Sequence, residues 1–370
     1  MFGRRHEPSK DQVLEALRDV QDPELRKSIV DLDMVREVTI RDGRVVIDAL
    51  LTISGCPLRE TIVAAIEDRV RRLPGVAQVE VNLGVMSPEQ RQALVQRLRG
   101  GEMHPAKTPA FLTADSPTRV IAVASGKGGV GKSTVTANLA VALAMAGRCV
   151  GIIDADVYGF SIPRMLGITG RPTAIDQMLI PLERHGVRVM SIGFLLPDES
   201  EAVIWRGPML HKALVTFITE VHWGDDLEYL LIDLPPGTGD VSLTIAQTLP
   251  RASMLIVTTP QPAAASVAQR AAKMAEKVNM EVVGVIENMS GFTPIPGGPT
   301  LDVFGRGGGL RLAEQLGVPL LGEVPIDLAL REGSDAGEPV VKAHPDSPAA
   351  RILREVAHRL VELVPVGAGA

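Results

Sequence analysis

The sequence predicts an α/β fold: a mostly parallel, doubly wound sheet flanked by helices, preceded by a small α+β domain. Three observations carry that reading. From residue 119 onward, short β-branched or leucine runs recur at 120–124, 149–154, 187–192, 229–233, 253–258, 282–287 and 320–324, with helical stretches such as 135–146 and 263–277 between them. Continuous apolar runs of this kind mark strands whose two faces are both covered by helices. A glycine-rich turn sits between the first run and the first of those helices. Finally, residues 99–118, RGGEMHPAKTPAFLTADSPT, hold three prolines and several small polar residues and read as a linker. The expected domains are therefore 1–98, small and α+β, and 119–370, joined by 99–118.

Within the first domain, Ser9 is placed to cap a helix whose apolar positions are Val13, Leu14, Leu17 and Val20. Asp22-Pro23-Glu24 ends it. Asp42-Gly43 is a hairpin turn before a strand at 45–53, a helix follows at 61–70, and an alternating strand returns at 76–81. Cys56-Pro57 falls between strand and helix, where a helix N-terminus lowers a thiol's pKa. Two readings of Cys56 stay open: a thiolate ligand or reactive thiol, and a small half-buried residue at a turn.

Composition bounds the function. The hydrophobic share of 45% is ample for two cores, and an aromatic share of 3% makes them aliphatic. A net charge of −6 gives no general attraction to nucleic acid or anionic membrane. No apolar run is long enough to span a bilayer, and the opening MFGRRHEPSK has no apolar core of a secretion signal. The two cysteines, Cys56 and Cys149, exclude a disulfide scaffold, so a reducing cytoplasm is the expected location. Cys149 falls in the strand predicted at 149–154 and reads as a small hydrophobe.

The glycine-rich turn, in VIAVASGKGGVGKST, fits G-x-x-x-x-G-K-[ST] at Gly126, Gly131, Lys132 and Ser133, in the strand–loop–helix setting this motif requires. Amides of Gly126 through Thr134, including Gly128, Gly129 and Val130, can turn inward around phosphate oxygens, with a helix N-terminus behind them. Lys132 would neutralise the β- and γ-phosphates of ATP, and the Ser133 hydroxyl would ligate Mg²⁺. Gly126, Gly128 and Gly131 also spell a dinucleotide fingerprint, with Asp154 where a ribose-binding acid belongs. The Lys132-Ser133 pair decides against it, because that fingerprint needs neither.

Acids follow at the predicted strand ends, where ligands of such sheets gather. Asp154-Ala-Asp156 assigns Asp156 to orienting or deprotonating water and places Asp154 behind the direct ligands of Mg²⁺. Tyr229-Leu-Leu-Ile-Asp233 is an apolar strand that aims one carboxylate at the metal, and the loop Leu234-Pro-Pro-Gly-Thr-Gly-Asp240 could bring amides to the γ-phosphate. Asn288 ends another strand and carries the donor and acceptor that match an adenine edge.

Lys127, just after the first motif glycine, gives GKGGVGKST, which resembles the deviant Walker-A ATPases, the class of MinD, ParA and nitrogenase iron protein. In that class the extra lysine reaches the partner's nucleotide, so the resemblance implies a nucleotide-sandwich homodimer, with Lys127 and Lys132 both catalytic. Longer stretches, DADVYGFSIPRMLG, WRGPM at 205–209, LLIDLPPGTGD, IENMS, FGRGGG and LGEVPID, are similar to the Mrp/ApbC iron–sulfur cluster carriers. That likeness spans nearly all of 119–340. It implies a cytoplasmic ATPase that serves scaffold or recipient apo-proteins, with adenine contacts near Asn288 and from Pro325 to Asp327. The first domain resembles the small domain often fused to these proteins, through Asp22-Pro23-Glu24-Leu25 and Leu51-Thr52-x-x-x-Cys56-Pro57, which raises a metal-related role for Cys56.

One departure bears on the cargo. After Asn-Met-Ser the family carries a C-x-x-C pair that bridges a cluster across the dimer, whereas here the segment reads GFTPIPGGPT. An iron–sulfur cluster thus lacks its usual thiolates. The alternative function is a MinD/ParA-like positioning or regulatory ATPase that carries no cluster. A membrane-bound version needs a basic amphipathic tail, but Glu355 and Glu362 interleave with the arginines of 349–364, which reads as a packed terminal helix. A DNA-bound version needs a dense basic patch, and none stands out beyond the helix end at 69–72.

Overall fold

The computed structural model describes residues 7–53, 58–99, 116–157, 159–196, 207–237, 240–295 and 297–367. Cys56, most of the linker 99–118, and Trp205 and Arg206 of the WRGPM stretch lie outside them. The strands are β1 (Val35–Arg41), β2 (Arg44–Leu51), β3 (Gln78–Val85), β4 (Arg119–Ser125), β5 (Val150–Asp154), β6 (Thr173–Ile175), β7 (Met178–Ile180), β8 (Leu182–Arg184), β9 (Val187–Ser191), β10 (Tyr229–Asp233), β11 (Ser253–Thr258), β12 (Val282–Phe292) and β13 (Leu320–Ile326). The helices are α1 (Lys10–Leu17), α2 (Arg59–Arg71), α3 (Pro88–Leu98), α4 (Lys132–Met145), α5 (Ile162–Met165), α6 (Gly207–Thr219), α7 (Asp240–Thr248), α8 (Pro262–Lys277), α9 (Gly308–Leu316), α10 (Leu328–Ala336), α11 (Val340–Ala343) and α12 (Pro348–Leu363). The chain divides into two compact units, Met1–Ala106 with Thr173–Ile180, and Lys107–Pro172 with Pro181–Ala370.

In the first unit, Ser9 begins α1 with a capping box: its hydroxyl accepts from the Gln12 amide and the Gln12 side chain accepts from its own. Ser87 and Gln90 repeat the device at α3, a helix the sequence reading passed over although S-P-E-Q announces it. Asp42 and Gly43, both at positive φ (50° and 77°), turn β1 into antiparallel β2. The crossover through α2 then returns β3 parallel to β2. Asp22 holds the turn after α1 by accepting from the Glu24 and Leu25 amides, and burial pushes its carboxyl above the usual range. The antiparallel hairpin β6–β7, drawn from far along the chain, belongs to this unit. Its Ile175, Met178 and Ile180 are buried in one core with Leu17, Ile47 and Ile66, and Thr173 donates to Glu24 at 3.0 Å.

The second unit is an eight-stranded sheet in the order β13-β12-β11-β4-β10-β5-β9-β8, parallel except for β8, which pairs antiparallel with β9 at one edge. That edge strand has no counterpart in the sequence reading, since three residues are too few for a period to show. The central helix α4 is buried along most of its length, from Val135 through Leu143, which explains why it lacks a polar face. Against it packs α12, whose Leu353, Val356, Ala357 and Leu360 are buried. The Tyr229 hydroxyl on β10 donates to the Val364 carbonyl just beyond that helix at 2.9 Å. β12 runs five residues past its predicted end, through a bulge and Met289 at φ 60°, and Phe292 pairs with Leu301 across the cysteine-free segment.

Cys149 departs from its reading. It precedes β5 instead of lying within the strand, is half-buried, and its thiol donates to Asp226 at 3.2 Å. Burial and that neighbouring carboxylate both raise its pKa, which disfavours the thiolate. Among the described residues, no cluster of three or more His, Cys, Asp or Glu side chains could hold a metal ion, and no helix is long and apolar enough to cross a membrane.

Candidate functional site: a phosphate loop over two buried carboxylates

The loop from Gly126 to Gly131 leaves the C-terminal end of β4 and enters α4 at Lys132. Its glycines answer to geometry. A Cβ on Gly126 would stand 2.3 Å from the Ala268 nitrogen, so the loop passes directly against the backbone of α8. Gly129 and Gly131 hold left-handed φ values of 78° and 80°, and a Cβ on Gly131 would stand 2.2 Å from Asn288 Nδ2. The loop and Asp156, Gly159, Ser161 and Pro236 line an open cleft of ≈ 400 Å³. The Gly237 amide donates to the Ser125 carbonyl at 3.0 Å, tying the turn after β10 to the start of the loop.

Beneath the loop the sheet order sets β10 between β4 and β5, and Asp233 registers directly with Asp154. Both are fully buried. Asp233 Oδ2 accepts from Ser133 Oγ at 2.6 Å and pairs with Lys132 Nζ at 2.7 Å. Thr136 Oγ1 lies 2.9 Å from both Asp233 Oδ1 and the Lys132 carbonyl. Asp154 accepts from the amides of Asp156, Ser161 and Ile162 and from the Ser191 hydroxyl at 3.1 Å. Burial, with the Asp233 charge second, pushes the Asp154 carboxyl up to about 8; Lys132 and the hydrogen bonds from Asp156 and Ser191 pull the other way. Lys132 therefore pairs with Asp233, and Asp154 lies beside that pair as a buried acid whose protonated form is favoured.

The loop residues, Asp154, Asp156 and Asp233 thus converge, as does Asn288, whose amide donates to the Val130 carbonyl at 2.9 Å. Lys127 donates to Gln261 Oε1 of the same chain at 2.8 Å. Pro325 lies in β13, next to β12. The Asp327 side chain is taken up by structure: its oxygens accept from the Ala329 amide at the start of α10 and the Ala349 amide at the start of α12. Thr136, Ser191 and Gln261 escaped the sequence reading. Thr136 sits one helical turn beyond Lys132, a spacing that could have revealed it. Gln261 reaches the loop only through the packing of α8.

Comparison with known proteins places this geometry. The family model for the NUBPL iron-transfer P-loop NTPase matches residues 116–361, and the model for the iron–sulfur cluster assembly protein matches residues 10–82. The iron–sulfur cluster carrier protein of Mycobacterium tuberculosis is 48% identical over 367 residues, covering 97% of this chain and 95% of the relative. The chain belongs to the Mrp/ApbC/NUBPL family of iron–sulfur cluster carrier P-loop NTPases. A nucleotide-binding protein from Archaeoglobus fulgidus, solved in complex with ADP, is similar to this chain at 41% identity and a TM-score of 0.53, covering 61% of this chain and 92% of that one. The cell division ATPase MinD of Pyrococcus furiosus is similar at 25% identity and a TM-score of 0.52, covering 66% and 99%. The mostly parallel sheet expected from the apolar runs is the one these proteins share.

Proposed function

We propose that this chain is a magnesium-dependent ATPase that works as a nucleotide-sandwich homodimer in the assembly or delivery of iron–sulfur clusters. The observation that carries the reading is the contact set of Lys132, Ser133 and Asp233 beneath a loop in which Gly126 and Gly131 leave no room for a Cβ. Loop amides and Lys132 hold the phosphate charge of ATP, with Lys132 exchanging its contact to Asp233 for the β- and γ-oxygens. The Ser133 hydroxyl and the two buried carboxylates, set side by side on neighbouring strands beneath the loop, are hard oxygen donors of the kind that suits a divalent cation. Magnesium, when bound, offsets charge on the transferred phosphoryl group. Asp156, at the mouth of the cleft, orients the attacking water. Lys127 supplies charge to the partner subunit's nucleotide, and Asn288 with residues 325–327 at the end of β13 frames the adenine. Slow, dimer-coupled turnover follows from a site that is complete only across two chains.

Residues 1–98 serve as the assembly-type domain and 119–370 as the ATPase. Scaffold and recipient apo-proteins are the partners, in the cytoplasm, without nucleic acid or stable membrane anchoring. The cluster itself is cargo, and the 290–301 segment offers it no thiolate. That observation supports a second reading, a regulatory or positioning ATPase that carries none. Anaerobic iron and sulfide analysis after reconstitution, on wild type and Cys56→Ala, separates the two. A stable cluster lost in the variant supports the carrier acting through Cys56, and no cluster in either supports the second reading. Lys132→Ala should abolish ATP binding or turnover, and unchanged ATPase activity there would refute the nucleotide assignment.

A further inference from the structure

Lys127, the residue that sets this loop apart, has a partner within its own chain. Its ammonium donates to Gln261 Oε1 at 2.8 Å, and the lysine is half-buried there. Gln261 is the residue before α8, with φ −62° and ψ 129°, followed by Pro262 in the first turn. Its side chain caps none of the helix amides, so the carboxamide oxygen is left for Lys127. Both ends of this contact are fixed by one packing feature. Gly126, the neighbour of Lys127, abuts the α8 backbone so closely that a Cβ would stand 2.3 Å from the Ala268 nitrogen and 2.5 Å from the Val267 carbonyl carbon. The helix that carries Gln261 therefore cannot shift away from the loop that carries Lys127 without opening that contact.

We infer that Gln261 is a positioning residue which holds Lys127 in its own subunit and so sets how readily the lysine is released to a partner's nucleotide. The inference rests on the cross-subunit role proposed above. The chemistry suits a reversible hold. A neutral amide gives the ammonium one hydrogen bond without neutralising it, so Lys127 keeps its full charge for the phosphates. A carboxylate at the same place would hold it by an ion pair as well, and an alanine would not hold it. One hydrogen bond to a charged group weights such an equilibrium by about tenfold. The two substitutions should therefore move the protein in opposite directions, which a purely structural role for Gln261 would not do.

The test uses the full-length protein as wild type, Gln261→Ala, Gln261→Glu and Lys127→Ala, with thermal unfolding of each as a control on folding. The hold is read directly by the rate at which an amine-reactive reagent labels Lys127, resolved by peptide mass spectrometry without nucleotide. Labelling should rise by up to about tenfold in Gln261→Ala and fall in Gln261→Glu. Its consequence is read from ATP turnover against protein concentration: half-maximal turnover should come at lower concentration in Gln261→Ala and at higher concentration in Gln261→Glu. Unchanged or reversed labelling would overturn the inference. So would altered labelling with unaltered concentration dependence while Lys127→Ala is impaired. Full turnover in Lys127→Ala, with the labelling shifts present, would instead remove the cross-subunit role and leave the hold on Lys127 standing.

Discussion

Replacing Asp154 by Asn probes the buried acid pair through its effect on stability. In the folded chain the Asp154 carboxyl keeps its proton up to about pH 8, against an ordinary value of 3.8. Between those limits the folded state binds more protons than the unfolded one, so this group's contribution is complete below pH 3.8 and is lost as pH rises toward 8. The slope is about 1.4 kcal/mol per pH unit, so raising the pH from 5 to 7 removes about 3 kcal/mol. Asn has no proton to release, and its variant should lack that loss. Urea unfolding of magnesium- and nucleotide-free protein provides the assay, followed by tryptophan fluorescence, since Trp223 is buried in the same unit as Asp154. His185 acts in the opposite sense, because burial lowers its pKa, and it cancels in the difference between the two proteins. Stability curves for wild type and Asp154→Asn that run parallel from pH 5 to 7 would refute the reasoning.

Thr136→Val keeps the shape of a fully buried side chain but removes the hydroxyl from Asp233 Oδ1, and should lower stability by about 2 kcal/mol. The same variant should need more magnesium for half-maximal turnover, with Thr136→Ser restoring both; a magnesium titration and a melting curve suffice to check this. Gly126→Ala drives a methyl group into the backbone of α8, so titration with a fluorescent ATP analogue should show binding lost or greatly weakened. Wild-type affinity in that variant would mean that the loop can be rebuilt away from the helix.

The parts of the site that were legible beforehand are those written in contiguous residues. Gly126 to Thr134 states its own chemistry, because a turn of unhindered backbone followed by Lys and Ser has few other uses. Asp154 and Asp233 were legible for a related reason: each ends an apolar run, and strand ends are where a parallel sheet gathers ligands. The cap at Ser9 and the turn at Asp42-Gly43 are likewise local, with partners at most three residues apart, and the equally local capping box at Ser87 went unread.

What could not be read is whatever depends on two distant segments meeting. That Asp154 and Asp233 lie side by side follows from β5 and β10 being neighbours, and the sheet order is not written in either strand. Gln261 reaches Lys127 across more than a hundred residues because Gly126 lets α8 close on the loop. The hairpin β6–β7 completes the small unit's core from within the P-loop NTPase sequence, through three apolar side chains too few to show a period. Cys149 was read as a core hydrophobe, but its place beside Asp226 depends on where the chain enters the sheet. Local backbone and side-chain preferences act over a few residues and leave a pattern in the chain. Charge sharing, burial and close approach act through space, and they arise only once the layers have packed.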